Sequence, residues 1–78
     1  MPKVELFGMA SCPFTNEMRA WLDWNKRDYV EYDVESDSEA RARMLAITGG
    51  ERTVPVLVEG GKATQIGWRG RGCLLNVG

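Results

Sequence analysis

The sequence predicts an α/β domain in which a four-stranded mixed sheet is flanked by helices. Short apolar stretches bounded by turn residues alternate with two segments that have the 3.6-residue period of amphipathic helices. The elements follow one another in the order β-α-β-α-β-β, with a short C-terminal helix or tail at the end. Since 78 residues provide one small hydrophobic core, we expect a single domain spanning residues 1–78.

The first half of the chain has the pattern of a strand, a helix and a second strand. Residues 3–7 form the first predicted strand. A helix is expected to start at Cys12 or Pro13, because proline is favoured in the first turn. Its apolar face comprises Phe14, Met18, Trp21 and Leu22. Alternation of apolar and acidic residues predicts a strand over residues 29–34, parallel to the first through a right-handed crossover.

The second half has the pattern of a helix followed by a hairpin. Ser36 is expected to cap this helix, with Glu39 three residues later completing a capping box. Gly49 is the expected C-terminal cap. Strands are predicted over residues 54–58 and 63–67, with a turn between them.

Composition and charge exclude several classes of protein. The chain has 10 basic and 11 acidic residues, and its net charge of −1 argues against a nucleic-acid partner. No apolar run approaches the roughly 18 residues that a membrane span needs. The N-terminal residues lack the apolar stretch of a signal peptide. We therefore expect a cytoplasmic monomer with no nucleic-acid or membrane partner.

The two cysteines, Cys12 and Cys73, are the residues that indicate chemistry. Without a histidine they cannot supply the usual four ligands of a zinc site, so no metal centre is expected. A reducing compartment disfavours a purely structural disulfide. A redox or catalytic role is therefore the better interpretation of at least one thiol.

Cys12 stands between the first strand and the first helix, where backbone N–H groups and the helix dipole stabilise negative charge. Such a position lowers a thiol pKa from about 8.5 into the range of about 3.5–7.5. Pro13 has no N–H group, so the amides of Phe14 and Thr15 are left to point at the sulfur. The alternative is that Cys12 is only a small buried hydrophobic residue.

The combination of Cys12-Pro13-Phe14-Thr15 with Thr53-Val54-Pro55 far downstream resembles the glutaredoxins of the thioredoxin superfamily. The resemblance covers nearly the whole chain. It implies a thioredoxin-like fold and a thiol–disulfide oxidoreductase in which the Cys12 thiolate attacks disulfides or glutathione mixed disulfides. Glutathione is then the expected co-substrate, and no cofactor is bound.

The resemblance also assigns roles to residues distant from Cys12 in the sequence. It implies a cis bond before Pro55, which lets the Val54 backbone pair with the cysteinyl backbone of glutathione or of a peptide. Arg52 is expected to bind the glycyl carboxylate of glutathione. Taken separately, Pro55 would suit an edge strand and Arg52 an exposed loop. The candidate substrate-binding residues are Pro13, Phe14, Arg52, Thr53, Val54, Pro55, Gly67, Trp68 and Arg69.

Thr15 and Cys73, the other candidate catalytic residues, decide whether one thiol or two take part. Thr15 stands where dithiol members of the family carry a second cysteine. Its hydroxyl can donate a hydrogen bond to a thiolate but cannot form a disulfide. The alternative is that Thr15 is an ordinary first-turn threonine. Cys12 therefore works as a monothiol, or its resolving thiol lies elsewhere. Cys73 is a buried residue at the start of a last helix, that resolving thiol, or an unrelated exposed thiol.

Three departures from the family pattern limit what the resemblance implies, and the missing lysine and the missing acid predict weak glutathione binding. Met9 replaces a lysine, the final helix is cut short, and residues 67–72 contain no acid to pair with an ammonium group. This stretch is closer to redoxins reduced by thioredoxin reductase. The chain also resembles a small bacterial glutaredoxin-like group, some members of which carry selenocysteine at the Cys12 position.

The stretch over residues 67–72 leaves the roles of three side chains open. Arg69 and Arg71 either belong to a solvated basic face or flank an anionic ligand. Trp68 either belongs to the core or forms the floor of a substrate groove.

Three other functions are compatible with these motifs. The first is a redoxin reduced by a protein resembling thioredoxin reductase, with Cys73 as the resolving thiol. The second is an iron–sulfur cluster carrier, although the Cys-Gly-Phe-Ser motif and the upstream lysine of such proteins are absent. The third is a non-catalytic binding module that uses the same groove.

Overall fold

The fold was analysed in a computed structural model that describes residues 4–75. Two helices lie on opposite faces of a four-stranded mixed sheet, and two further short strands pair beside it. The helices are α1 (Pro13–Trp24) and α2 (Ser38–Thr48). The strands are β1 (Val4–Gly8), β2 (Val30–Asp33), β3 (Thr53–Val54), β4 (Val56–Glu59), β5 (Lys62–Ile66) and β6 (Cys73–Leu74).

The main sheet has the predicted α/β architecture. Its strand order is β2-β1-β4-β5, with β1 and β2 parallel and the other neighbours antiparallel. The crossover through α1 therefore joins parallel strands, and the hairpin joins β4 to β5, as the sequence predicts. The predicted α/β class with a four-stranded mixed sheet is confirmed.

Alternation along β1 separates the core into two layers. Leu6 packs with Met18 and Leu22 of α1 on one face of the sheet. Phe7, its neighbour, packs with Met44 of α2 on the other face. All five of these apolar side chains are fully buried. The sheet is thus covered on both sides, as expected for an α/β domain.

The N-cap residue agrees with the prediction for α1 and differs from it for α2. α1 begins at Pro13 with Cys12 as its N-cap, as predicted. The capping box expected at Ser36 is wrong, because α2 begins at Ser38 and its N-cap is Asp37. The Asp37 carboxylate accepts a hydrogen bond from the Ala40 amide at 3.0 Å, which satisfies one of the N–H groups that the first turn leaves without a helical partner. Within residues 4–75, no helix has the length and apolar character to cross a membrane.

Two predicted elements after α2 differ from the structure. The strand expected over residues 54–58 is split at Pro55, so that β3 and β4 belong to different sheets. The predicted C-terminal helix or tail is also wrong for the part that the structure describes, because Cys73 and Leu74 form a strand that pairs antiparallel with β3. That prediction covered residues 70–77, of which residues 76 and 77 lie outside the described range.

A tight turn explains why the chain returns to β3 instead of continuing as a helix. Trp68 and Arg71 pair across it through two backbone hydrogen bonds of 2.6 and 2.9 Å. The two residues between them, Arg69 and Gly70, have φ values of 53° and 78°. Such a pair of left-handed residues reverses the chain within one turn. The segment that follows is thereby directed along β3.

Candidate active site

Cys12 occupies the N-terminal end of α1 and is fully buried. Its amide donates to the Met9 carbonyl at 3.0 Å, and its carbonyl accepts from the Asn16 amide at 3.3 Å. These bonds hold the residue between the end of β1 and the first helical turn. Because first-turn amides and the helix dipole favour negative charge, this position suits a sulfur that carries charge when reduced.

Cys73 lies against Cys12, with which it forms a disulfide bond. The two Cα atoms are 6.0 Å apart although 61 residues separate them in the sequence. This distance falls within the usual range of about 4.4–6.8 Å for bridged cysteines. The sequence left three interpretations of Cys73 open, and the structure agrees with the one in which its sulfur reaches Cys12. Cys73 lies in a strand and not at the start of a helix.

The segment Gly72–Leu75 is held in place by β3 as well as by the disulfide. Cys73 pairs with Val54 in the antiparallel ladder. One residue further on, the Leu75 amide donates to the Arg52 carbonyl at 2.9 Å. The Leu75 side chain is 1% exposed and belongs to the core cluster that contains Cys12. Backbone pairing and side-chain burial therefore both position Cys73.

Thr15 faces the end of β1. Its side chain is fully buried, and its hydroxyl oxygen accepts a hydrogen bond from the Met9 amide at 3.3 Å. The hydroxyl oxygen thus serves the Met9 amide as an acceptor, and donation of its hydrogen to a reduced Cys12 sulfur stays a prediction. The position still bears on the site, because Met9 also accepts the hydrogen bond of the Cys12 amide.

The residues before and at Pro55 form the edge that faces Cys73. The Val54–Pro55 peptide bond is cis, and both residues are buried. The Pro55 carbonyl accepts from the Gly67 amide at 2.7 Å. Arg52 is exposed at the end of β3, and its carbonyl binds Leu75. The Thr53 hydroxyl donates to the Glu51 carboxylate at 2.9 Å.

A cavity of about 320 Å³ lies beside the first turns of α1. It is lined by Phe14, Glu17, Trp68, Arg69 and Arg71. Among residues 4–75, none of the three charged side chains in this group takes part in an ion pair. The cavity therefore offers two guanidinium groups and one carboxylate, an arrangement that suits an anionic or zwitterionic ligand. Arg69 and Arg71 line this cavity together with residues of α1, the helix that follows Cys12. This is the placement that the interpretation of the two arginines as flanking an anionic ligand requires.

Trp68 contributes both to the core and to this cavity. It is 8% exposed and packs in the cluster that contains Met18 and Leu22 of α1. The Arg69 guanidinium lies 5.3 Å from the centre of the indole ring, which is a cation–π distance. The two interpretations of Trp68 are therefore compatible: its ring is packed on α1 and also lines the cavity.

Sequence reasoning missed three residues of the site. The first is Glu17, whose carboxylate lines the cavity together with Arg69 and Arg71. Gly72 and Leu75 hold the segment around Cys73, one by its small size and the other by burial. Leu75, an aliphatic residue two positions after Cys73, was a weak sign of a strand. The sequence did not show that this strand pairs with β3.

Comparison with known proteins places this geometry in a family. The glutaredoxin family model matches residues 4–63. A probable glutaredoxin of Synechocystis sp. is 38% identical over 53 residues, which is 68% of this chain and 49% of that protein. The chain thus spans about half the length of this curated relative. Cys73 lies beyond the segment that the family model matches.

Solved structures show the same architecture. A thioredoxin-like protein, crystallised as a point mutant, superposes with a TM-score of 0.78 at 29% identity, covering 88% of this chain and 86% of the other. The buckwheat glutaredoxin in complex with glutathione gives a TM-score of 0.69 at 25% identity, covering 85% of this chain and 61% of the other. Both likenesses extend over most of the chain.

Proposed function

The chain belongs to the glutaredoxin family, and on that premise we propose that it is a thiol–disulfide oxidoreductase that works through Cys12 and Cys73. The observation that carries the proposal is the contact between the two sulfurs at the start of α1. A thiol at a helix N-terminus beside a second thiol is suited to two-electron exchange with disulfides.

The reaction proceeds in two exchange steps. The Cys12 thiolate attacks one sulfur of a substrate disulfide, forming a mixed disulfide and releasing the other substrate sulfur as a thiolate. The Cys73 thiolate then attacks the Cys12 sulfur, which releases the second substrate thiolate and closes the Cys12–Cys73 disulfide. The substrate gains two electrons and the protein loses two. Two equivalents of a thiol reductant, such as glutathione, return the protein to its dithiol form.

Several charged groups are placed to receive an anionic thiol such as glutathione. Arg52 projects from the end of β3, and Arg69 and Arg71 line the cavity beside α1. Glu17 in the same cavity provides a partner for an ammonium group. The glutathione complex of the buckwheat protein, which shares this fold, supports glutathione as a co-substrate. No bound cofactor is needed for the exchange.

A second candidate reductant is a protein dithiol, such as the active centre of a thioredoxin-reductase-like enzyme. The observation that favours it is the internal disulfide, because a dithiol reduces such a bond in one encounter through a single mixed disulfide. Glutathione needs two encounters for the same result. The two reductants therefore predict different dependences of the rate on reductant concentration.

The test compares wild-type protein with Cys12→Ser and Cys73→Ser in the reduction of insulin disulfides and of a glutathionylated peptide. Cys12→Ser should abolish both reactions. Cys73→Ser should leave the glutathione-dependent reaction with the peptide but accumulate a mixed disulfide with insulin, visible by mass spectrometry. Full activity of Cys12→Ser would contradict the proposal, and an unchanged insulin reaction in Cys73→Ser would remove Cys73 from it.

A further inference from the structure

The two cysteines of the disulfide differ in their access to solvent. Cys12 is 0% exposed, whereas Cys73, in the short strand β6, is half-buried. The solvent-exposed surface of this pair therefore belongs to Cys73. Because thiol–disulfide exchange depends on which sulfur the attacking thiolate can reach, the two halves of the disulfide are not equivalent toward a reductant.

We propose that Cys73 receives the reductant: the reducing thiolate attacks the Cys73 sulfur, and Cys12 is the leaving group. The inference rests on the proposed function, in which the Cys12–Cys73 disulfide is the oxidised form of the enzyme, and it adds the sulfur at which that form is reduced. Substrate and reductant then bond to different cysteines, the substrate to Cys12 and the reductant to Cys73.

Cys12 is also the better leaving group of the two. It is the N-cap of α1, with Pro13 at the first helical position. The amides of the first turn and the helix dipole stabilise a thiolate at this point, and a sulfur that forms a stable thiolate departs faster from a disulfide. Cys73 belongs to a strand and has no helix start of its own. Access and leaving-group stability therefore favour attack at the same sulfur.

The charged side chains that precede Cys73 favour an anionic nucleophile. Arg71 stands two positions before Cys73, so their Cα atoms are at most about 7 Å apart. Arg69 and Arg71 line the cavity beside α1 together with one carboxylate, that of Glu17, so this group of side chains has a net positive charge. A positive field raises the local concentration of an anionic thiolate such as that of glutathione.

Reduction then takes two balanced steps. In the first, the reductant sulfur forms a bond with the Cys73 sulfur, the Cys12–Cys73 bond breaks, and its electron pair leaves on Cys12 as a thiolate. In the second, another reductant thiolate attacks the reductant sulfur of the mixed disulfide on Cys73. The oxidised reductant leaves as its disulfide, and the Cys73 thiolate takes a proton from water. The protein gains two electrons, and two thiolates are oxidised to one disulfide.

The first experiment identifies the attacked sulfur in wild-type protein whose disulfide is closed. Sulfite is the probe, because it attacks one sulfur of a disulfide to form a stable S-sulfonate and releases the other sulfur as a thiolate. The reaction is quenched early in acid, the sulfite is removed, and the free thiol is labelled with N-ethylmaleimide. Peptide mass spectrometry should find the sulfonate on Cys73 and the maleimide on Cys12, in about tenfold or greater excess over the reverse pattern.

The same reaction in guanidinium chloride at a denaturing concentration is the control for the fold. Unfolding removes both the burial of Cys12 and the helix that stabilises its thiolate. The two labelling patterns should then occur in amounts within about threefold of each other. An equal excess in folded and unfolded protein would show that neighbouring residues in the sequence, and not the fold, direct the attack, which overturns the inference.

A pair of variants tests whether burial protects Cys12. Leu75 is 1% exposed and packs in the cluster that contains Cys12, whereas Leu74 is 63% exposed. Leu75→Ala should lower the excess of sulfonate on Cys73 by about threefold or more, because it loosens the packing around Cys12. Leu74→Ala is the matched control in the same strand and should leave the excess unchanged. Circular dichroism confirms that each variant is folded.

Glutathione, the proposed co-substrate, is the probe of the last measurement. Oxidised wild-type protein is mixed with glutathione, quenched in acid at successive times and labelled in the same way. Extrapolated to zero time, the glutathione should be attached to Cys73 while Cys12 carries the maleimide. Glutathione that appears first on Cys12 would overturn the inference.

The outcomes separate this inference from the proposed function. Sulfonate found mainly on Cys12 of the folded protein overturns the inference alone, because the insulin assay of Cys12→Ser does not depend on the sulfur that the reductant attacks. If Cys12→Ser keeps full activity in that assay, the proposed function fails whatever the labelling pattern. If the folded, oxidised wild type contains no Cys12–Cys73 disulfide, both fail together.

Discussion

Gly72 lies so close to Val54 that a Cβ atom on Gly72 would come within 2.5 Å of the Val54 carbonyl oxygen. Gly72→Ala should therefore push Cys73 away from β3 and make the Cys12–Cys73 disulfide easier to reduce. We expect the equilibrium constant for reduction by glutathione to increase by about tenfold, which corresponds to about 1.4 kcal/mol. Redox titration in glutathione buffers, followed by thiol alkylation and mass spectrometry, measures this constant.

The matched control for this prediction is Leu74→Ala. Leu74 belongs to the same strand, but its side chain is 63% exposed and its loss leaves the backbone pairing intact. Its equilibrium constant should stay close to that of the wild type. Equal constants for Gly72→Ala and the wild type would show that the segment shifts to accommodate the methyl group at no cost to the disulfide.

The cavity beside α1 should discriminate between charged and neutral disulfides. Arg71→Gln removes one of its two guanidinium groups, so kcat/KM for a glutathionylated peptide should fall by about threefold to tenfold. The value for a neutral disulfide should be unchanged. Steady-state kinetics at two salt concentrations measure the effect, since an electrostatic contribution weakens as salt increases.

Glu17→Gln provides the opposite change in the same cavity. It removes a carboxylate and keeps the size of the side chain, so an anionic substrate that lacks an ammonium group should bind better. If Arg71→Gln and Glu17→Gln change kcat/KM for that substrate in the same direction, charge in the cavity does not determine substrate preference.

Gly8 and Thr15 should be energetically coupled. A Cβ atom on Gly8 would lie 2.3 Å from Thr15 Cγ2 and 2.7 Å from Thr15 Oγ1, so Gly8→Ala should destabilise the protein by about 1–3 kcal/mol. Thr15→Ala alone should cost about 1–3 kcal/mol, because it leaves the buried Met9 amide without its hydroxyl partner.

The double variant distinguishes a steric clash from a general loss of order. Removing the Thr15 hydroxyl and methyl makes room for the new methyl group, so the combined cost should be clearly smaller than the sum of the two single costs. Chemical denaturation of the four proteins gives the coupling free energy. Additive costs would mean that the backbone of β1 has moved and that the two side chains do not meet in the variant.

Tyr29 should ionise only in strongly alkaline solution. Burial, together with the hydrogen bond from its hydroxyl to the Asp23 carboxylate, raises the pKa of Tyr29 from 10.0 to about 12. Because the folded state favours the neutral phenol, this group stabilises the fold below pH 10, and the contribution is lost as the pH rises toward about 12.

Ultraviolet titration of the phenolate absorbance tests this value, with Tyr29→Phe identifying the step that belongs to Tyr29. Asp23→Asn removes the negative charge beside the phenol and should lower the pKa of Tyr29. A titration step of Tyr29 close to pH 10 in the folded protein would contradict the contacts described for this residue.

Local sequence patterns predicted the elements of the main sheet and the place of Cys12. Period-two and helical patterns extend over neighbouring residues, so the order of strands and helices follows from them directly. The proline after Cys12 marks a helix start for the same local reason. The capping-box pattern assigned the cap of α2 to Ser36, but the structure has Asp37 there, because the choice of cap depends on hydrogen-bond geometry that the pattern does not contain.

Sequence alone determined that a cysteine precedes the first helix of an α/β domain, since each part of that statement depends on adjacent residues. Only the tertiary structure decided the partner of Cys12. That partner lies 61 residues away and reaches it through a turn in which Arg69 and Gly70 take left-handed conformations. The meeting of β3 with β6, the burial of Leu75 and the approach of Glu17 to Arg71 depend on the path of the chain through space, which residue types and their spacing do not encode locally.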